Sequence, residues 1–384
     1  MKHLRYLSLL LAVVLGLNFT ATAQDSRNRV ASTIIADGLA QLPAQNLDVL
    51  EQVMSEIAGT GAEGTSMLVQ YLNERGMKAY TLTLKPVHTV RRAIIPVAGF
   101  GTRLYPATRA LKKDFFPIPC PDGMVRPVIL ILLEELIQSG IEEICLVLGS
   151  EEERQQYSDF FERPLSDEHL RKLNPEAQEY ENHILDIGKR LHYVYQREKR
   201  GFGHAVYQAA QFAGNEPVML LLGDTLYRSD SNKPCALQMV EEYERCNSLM
   251  VSIHPIPLAE VSRYGILHGV WEDNARTMLN VSTMMEKPKA SYAEEYLGVR
   301  NKDGEKEYYS VFGQYILTPE VFLQLHEDIM QKEIDGDHVT EIELTSALEA
   351  VRKRSGMMGV RLKGHMYDMG NPQALVNAIQ EFSK

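Results

Sequence analysis

The stretch Ala98-Gly99-Phe100-Gly101-Thr102-Arg103 follows directly on the apolar run Ala93-Ile94-Ile95-Pro96-Val97. Glycines just past a buried strand let backbone N–H groups approach an anion closely, and a phosphate is the natural occupant of such a loop. A plain tight turn would use the same glycines. Two familiar phosphate loops are excluded: a dinucleotide fingerprint needs a third glycine where Leu104 stands, and a Walker A loop needs Gly-Lys-Ser/Thr. A few residues on, Arg109-Ala110-Leu111-Lys112-Lys113-Asp114 gathers positive charge. The chain carries a net charge of −11, so as a whole it repels nucleic acid and anionic membrane surfaces. A polyphosphate substrate therefore has to be met by a local basic cluster. Arg103 and Lys113 are placed to clamp the phosphates of a leaving group; the alternative is a solvated basic turn.

Further along, Leu222-Gly223-Asp224 sets an aspartate at the carboxyl end of an apolar run. That is where a metal-binding carboxylate reaches a nucleotide phosphate, although a strand-end aspartate can also cap the next turn. Magnesium takes one or two protein carboxylates together with phosphate oxygens and water. Gln196 precedes Gly201-Phe202-Gly203-His204-Ala205, and its amide carries both a donor and an acceptor. A helix is expected from His204 to Ala213, and His204 itself reads equally as a helix-start residue without a chemical role. Glu286-Lys287-Pro288 closes another strand. Neighbours on a strand point to opposite faces, so the chain must turn there for both charges to face one ligand.

Taken in order, Pro96-Val97-Ala98-Gly99-Phe100-Gly101-Thr102-Arg103, Pro106-Ala107-Thr108-Arg109 and Lys113-Asp114 resemble bacterial UTP–glucose-1-phosphate uridylyltransferases. The likeness continues over about residues 91 to 384. The Ile-Pro-Val-Ala-Gly opening favours this family over its thymidylyltransferase cousins, which usually read Leu-Ala-Gly-Gly. The resemblance implies transfer of a uridylyl group from UTP to glucose-1-phosphate, giving UDP-glucose and pyrophosphate, by in-line attack assisted by Mg2+. It implies nucleotide binding at Ala98, Gly99, Gly101, Thr102, Gln196 and Gly201, with Gln196 reading the uracil edge. It places the sugar and its phosphate at Gly265, Glu286 and Lys287, and a second metal ligand at Asp368, within Tyr367-Asp368-Met369-Gly370-Asn371. A homo-oligomer is implied too. Glu341-Ile342-Glu343-Leu344-Thr345 also matches, as a helix that packs. Two segments depart from the pattern: 119–127 is long, with Arg126 in place of the usual lysine, and 151–189 is extended.

The elements that must position these residues are strands alternating with helices from Val90 onward, near 93–97, 143–148, 192–195 and 218–222, followed by strands near 249–254, 264–271, 280–286 and 311–317. Helices are expected over 128–138, 319–330, 340–352 and 372–382. This alternation predicts an α/β, doubly wound, mostly parallel mixed sheet of the Rossmann-like nucleotide-diphospho-sugar transferase type. Ligands of such sheets bind beyond the carboxyl ends of the strands, which singles out the loops after Val97, Tyr195 and Leu222.

The N-terminus reads differently. Residues 1–23 have the basic start, apolar run and Ala21-Thr22-Ala23 site of a secretory leader, and 24–85 show helical spacing, with no motif for catalysis. An enzyme consuming a nucleoside triphosphate belongs in the cytoplasm, whereas this leader would export the chain. Residues 1–85 are therefore expected to be a fusion or a misplaced start, with 86–384 as the nucleotidyltransferase domain; the rival is a non-catalytic exported binding protein. The same chemistry on dTTP or another sugar phosphate is a closer alternative. Cys120, Cys145, Cys235 and Cys246 form no CxxC pair, so neither a disulfide framework nor a structural zinc site is expected.

Overall fold

The computed structural model describes residues 89–382, all within the unit Pro86–Lys384. The expected leader over 1–23 and helical segment over 24–85 lie outside the described residues. The chain enters through β1 (Arg92–Pro96), makes a small hairpin of β2 (Pro117–Pro119) and β3 (Val125–Pro127), and returns through β4 (Glu143–Leu148), β5 (Leu191–Tyr195) and β6 (Val218–Leu221). The remaining strands are β7 (Thr225–Ser229), β8 (Met250–Ile256), β9 (Gly265–Trp271), β10 (Met278–Glu286), β11 (Val299–Arg300), β12 (Lys306–Leu317), β13 (Met358–Arg361) and β14 (Gly364–Asp368).

The main sheet runs in the order β5-β4-β1-β6-β12-β8-β13-β10-β9. Its first four strands are parallel, as the alternation with helices requires. The mixed half begins at β12, which is antiparallel to both β6 and β8, and only β13 and β8 restore a parallel pair. β12 also pairs with β9, so the far half curls back on itself. The chain runs from β1 through β4 to β5 on one side and then crosses to β6 on the other side of β1, so the direction of winding reverses there. That switch point opens a crevice at the carboxyl ends of the strands.

Period-two alternation explains how the strands are covered on both faces. In β1, Ile94 packs into one core with Cys145, Val147, Val218 and Leu220, while Ala93 and Ile95 face the other with Ile144, Leu146, Met219 and Leu221. Burial of such a leucine or isoleucine stabilises by about 1.5–3 kcal/mol, so the sheet resists any register slip. The helix Val128–Gln138 presents Val128, Ile129, Leu132, Leu133 and Leu136 to the second core, a helical stripe that starts right after Pro127. The helices Pro319–Ile334 and Leu344–Ser355 cover the first.

Two local expectations are corrected. The helix expected from His204 to Ala213 starts earlier, at Phe202, and is divided into Phe202–Tyr207 and Ala210–Ala213. Residues 341–343 are not helical; the helix begins only at Leu344. Ile342 instead bridges the earlier loop, donating its N–H to Arg200 O (2.8 Å) and accepting from Gly203 N–H (2.8 Å). Those two tertiary hydrogen bonds hold the backbone extended against the local helical pattern. The two family departures meet each other: Arg126 forks onto Asp122 at 2.9 and 2.6 Å and reaches Tyr180 Oη at 2.6 Å, on the helix Pro175–Gly188.

Candidate active site

The glycine loop hangs from the end of β1 and rests on Lys113. A β-carbon at Gly99 would lie 3.6 Å from Lys113 Nζ, and one at Gly101 3.6 Å from its Cδ. Gly101 has φ 61°, a left-handed conformation that lets the chain turn into the short 3-10 helix Thr102–Leu104. Lys113 Nζ pairs with Asp224 Oδ2 at 2.7 Å across the switch point. The expected basic clamp and the expected metal carboxylate are therefore in direct contact.

Asp368 joins them through the ladder between β7 and β14, where it stands opposite Thr225, the residue after Asp224. The Met369 N–H donates to Asp224 O at 2.9 Å, and Asp368 Oδ1 accepts from Gly370 N–H at 2.6 Å. A β-carbon at Gly370 would stand 2.7 Å from Arg103 Nη2 and 2.9 Å from Asp368 Oδ1, so guanidinium and carboxylate converge there. Among the described residues no group of three or more acidic, histidine or cysteine side chains is gathered for a metal. Two carboxylates beside a loop of free N–H groups suit a hard cation that takes its remaining ligands from phosphate and water. The ammonium on Asp224 shows that this position already attracts a cation.

Gln196 is 4% exposed at the end of β5. Its Nε2 donates to Gly201 O at 2.9 Å, so the donor half of the amide is already used and the oxygen is the group left for a ligand. His204 Nδ1 lies 3.3 Å from the same nitrogen, and burial, followed by the nearby Arg200 charge, lowers the imidazole's pKa. Gly201 has φ 96° and would place a β-carbon 2.8 Å from Ile342 O; the residue has to be glycine for the 341–343 strap to lie against it.

Gly265 and Glu286 are register partners, at the start of β9 and the end of β10 respectively. Lys287 leaves the strand with φ 46°, which supplies the required turn at the lysine itself, one residue before Pro288. Its ammonium sits 3.1 Å from Glu286 Oε1, and its N–H donates to Tyr264 O at 3.0 Å. β12 links the two ends of the site. Leu222 N–H reaches Gly313 O at 3.3 Å, and two residues away Val311 faces Gly265.

Residues overlooked in the sequence also line this region. Thr345 Oγ1 donates to Glu286 Oε2 at 3.2 Å. Lys112 Nζ donates to Val97 O at 3.1 Å and Lys199 Nζ to Ala98 O at 2.8 Å. Asp114 is fully enclosed beneath, accepting from Tyr157 Oη at 2.7 Å, and burial pushes its pKa up to about 6 against the pull of Lys112. A second lysine beside Lys113 and a basic run between Gln196 and Gly201 were the available signals; Thr345 lies in the 341–345 match, which was read only as packing.

A glycine loop, a basic clamp and a strand-end aspartate at the switch point of a Rossmann-like sheet define a nucleotidyl-transfer site. Comparison with known proteins agrees: the model of the nucleotidyl transferase family matches residues 92–384, and the chain belongs to that family. A UTP–glucose-1-phosphate uridylyltransferase of Bacillus subtilis (strain 168) is 32% identical over 298 residues, covering 77% of this chain and 91% of the relative. One from Streptococcus pneumoniae serotype 4 is 34% identical, covering 73% and 86%. Among solved structures, an apo UDP-glucose pyrophosphorylase superposes with a TM-score of 0.62 at 27% identity, covering 76% of this chain and 98% of the other. A UDP-glucose pyrophosphorylase complexed with UDP-glucose gives 0.60 at 26% identity, with the same coverage.

Proposed function

We propose that this chain joins UTP and glucose-1-phosphate to give UDP-glucose and pyrophosphate. The observation that carries the reading is the Lys113–Asp224 pair lodged between the glycine loop and the switch point. A glucose-1-phosphate oxygen attacks the α-phosphorus of UTP in line, and pyrophosphate leaves. The attacking phosphate is already ionised near neutral pH, so the chain needs no general base and no covalent intermediate. Its work is to hold two anions in line and to offset charge as it develops.

The N–H groups of Ala98, Gly99, Gly101 and Thr102 bind the triphosphate, and Arg103 and Lys113 stabilise the departing pyrophosphate. The Gln196 oxygen accepts from the uracil N3–H, with the Gly201 backbone beside the ring. Glu286 takes sugar hydroxyls against Gly265, and Lys287 pairs with the sugar phosphate. Asp224 and Asp368 hold Mg2+, which when bound neutralises part of the phosphate charge. Lys113, held by Asp224 in the free protein, lies beside the glycine loop and within reach of the phosphate oxygens that loop would hold.

A homo-oligomer is the proposed assembly, and 86–384 the catalytic domain. The proposed setting is the cytoplasm, where the triphosphate is available; N-terminal sequencing of the natively expressed protein tests this, and a mature chain starting at Gln24 would overturn it. The reaction is tested by pyrophosphate release from the full chain with each nucleoside triphosphate, glucose-1-phosphate and Mg2+. Release with UTP is expected. Release only with dTTP would correct the substrate, and no release with any pair would favour a non-catalytic binding protein.

A further inference from the structure

Beside the residues expected to touch substrate, two lysines act on the glycine loop from behind. Lys112 donates to the carbonyl of Val97 at 3.1 Å, and Lys199, from the loop between Gln196 and Gly201, donates to the carbonyl of Ala98 at 2.8 Å. Glu153 sits between them. Its Oε2 accepts from Lys112 Nζ at 2.6 Å and from Gly149 N–H at 3.1 Å. A β-carbon at Gly149 would lie 2.6 Å from both Glu153 Oε1 and Lys199 Nζ, so the carboxylate and the second ammonium converge on that glycine. The three loops tied here follow β1, β4 and β5, three adjacent parallel strands.

A trans peptide points its carbonyl and the next N–H in opposite directions. The described chain has a single cis bond, at Tyr105-Pro106, so both peptides here are trans. An ammonium on the Val97 carbonyl therefore turns the Ala98 N–H away from it, and one on the Ala98 carbonyl does the same for Gly99. Among the described residues neither of these N–H groups has an acceptor. Hydrogen bonds from a charged donor are stronger than neutral ones, and Glu153 keeps Lys112 in place.

We infer that Lys112, Glu153 and Lys199 form a brace that presets the peptide planes at Val97-Ala98-Gly99, so that the Ala98 and Gly99 N–H groups face the triphosphate before it arrives. These are positioning residues, acting on the phosphate through the backbone. Preorganised donors need no reorientation on binding, which is the benefit such a brace confers. The inference rests on the proposed function for the identity of the ligand, and the geometry of the free protein can be tested without it.

The test uses the full chain carrying Lys199→Met, with Lys112→Met as the second variant. Lys199 is an exposed residue, so its loss leaves the fold intact. In the free protein, the Ala98 carbonyl 13C and Gly99 amide 15N resonances are expected to move in Lys199→Met, and those of Val97 and Ala98 in Lys112→Met. The Kd for UTP is expected to rise about tenfold in each, with the KM for glucose-1-phosphate unchanged. Weaker UTP binding with unmoved resonances would make Lys199 a direct phosphate ligand and overturn the brace, as would moved resonances with native affinity. Failure of the native chain to bind UTP would instead overturn the functional reading, while the resonances still decide whether the lysines set the loop.

Discussion

At the proposed phosphate end of the site, Lys113 and Asp224 keep only 16% and 25% of their side-chain area exposed and meet at 2.7 Å, with Lys112 and Glu153 locked behind them. At the proposed sugar end, Lys287 is 62% exposed and leans on its own neighbour Glu286 at 3.1 Å. In the proposed reaction the two ends do different work. Charge that develops during phosphoryl transfer is best met by fixed groups shielded from water, where each interaction counts for more. Sugar hydroxyls are recognised by exchanging water for protein hydrogen bonds, and a partly open carboxylate and ammonium suffice. Rate should therefore depend on the first end and sugar affinity on the second.

The largest effect follows from removing the clamp. Lys113→Ala is expected to lower kcat by about a thousandfold with the fold intact, as measured by steady-state pyrophosphate release and circular dichroism. A loss confined to the KM for the sugar phosphate would break the comparison. Next comes the buried support. Burial raises Asp114 from 3.8 to about 6, so the folded state holds this proton more tightly than the unfolded state does. Ionising it costs stability as pH rises from about 4 through 6, and the full cost is present at pH 7.5. Asp114→Asn has no such proton, so its stability relative to the native chain is expected to improve over that interval by as much as about 3 kcal/mol. Denaturant titrations at pH 4 and 7.5 check the sign, and a constant difference would remove the buried carboxylate from the account.

Smaller changes belong to the sugar end. Glu286→Gln is expected to raise the KM for glucose-1-phosphate roughly tenfold or more while leaving the KM for UTP near native, by initial-rate kinetics with each substrate varied. Equal effects on both substrates would mean that the two ends are not separable. Thr345→Val should show the same pattern at about fivefold, since it removes only a neutral hydroxyl from one carboxylate oxygen.

Much of the phosphate end was legible in the sequence because it is nearly contiguous. Ala98 to Lys113 spans one loop and two short turns, so residue types and spacing alone bring a glycine loop and a basic cluster together. The parallel half of the sheet was legible for a related reason: alternating apolar strands and helices leave few topologies. The sugar end was readable only through resemblance, since Gly265, Glu286 and Thr345 come from three distant segments. Helix ends were misjudged where tertiary hydrogen bonds overrode local pattern, as at Ile342.

The sequence by itself determined the strands of the parallel half, most of the long helices and which residues carry charge, because periodicity and burial preference are local properties of the chain. Only the tertiary structure decided that Lys113 meets Asp224, that Asp368 lies beside it across the β7–β14 ladder, and that Lys199 crosses from the loop between Gln196 and Gly201 to the Ala98 carbonyl. Those contacts depend on the order of strands around β1 and on the antiparallel insertion of β12. Strand order is set by the packing of the whole sheet, and no short window of sequence encodes it.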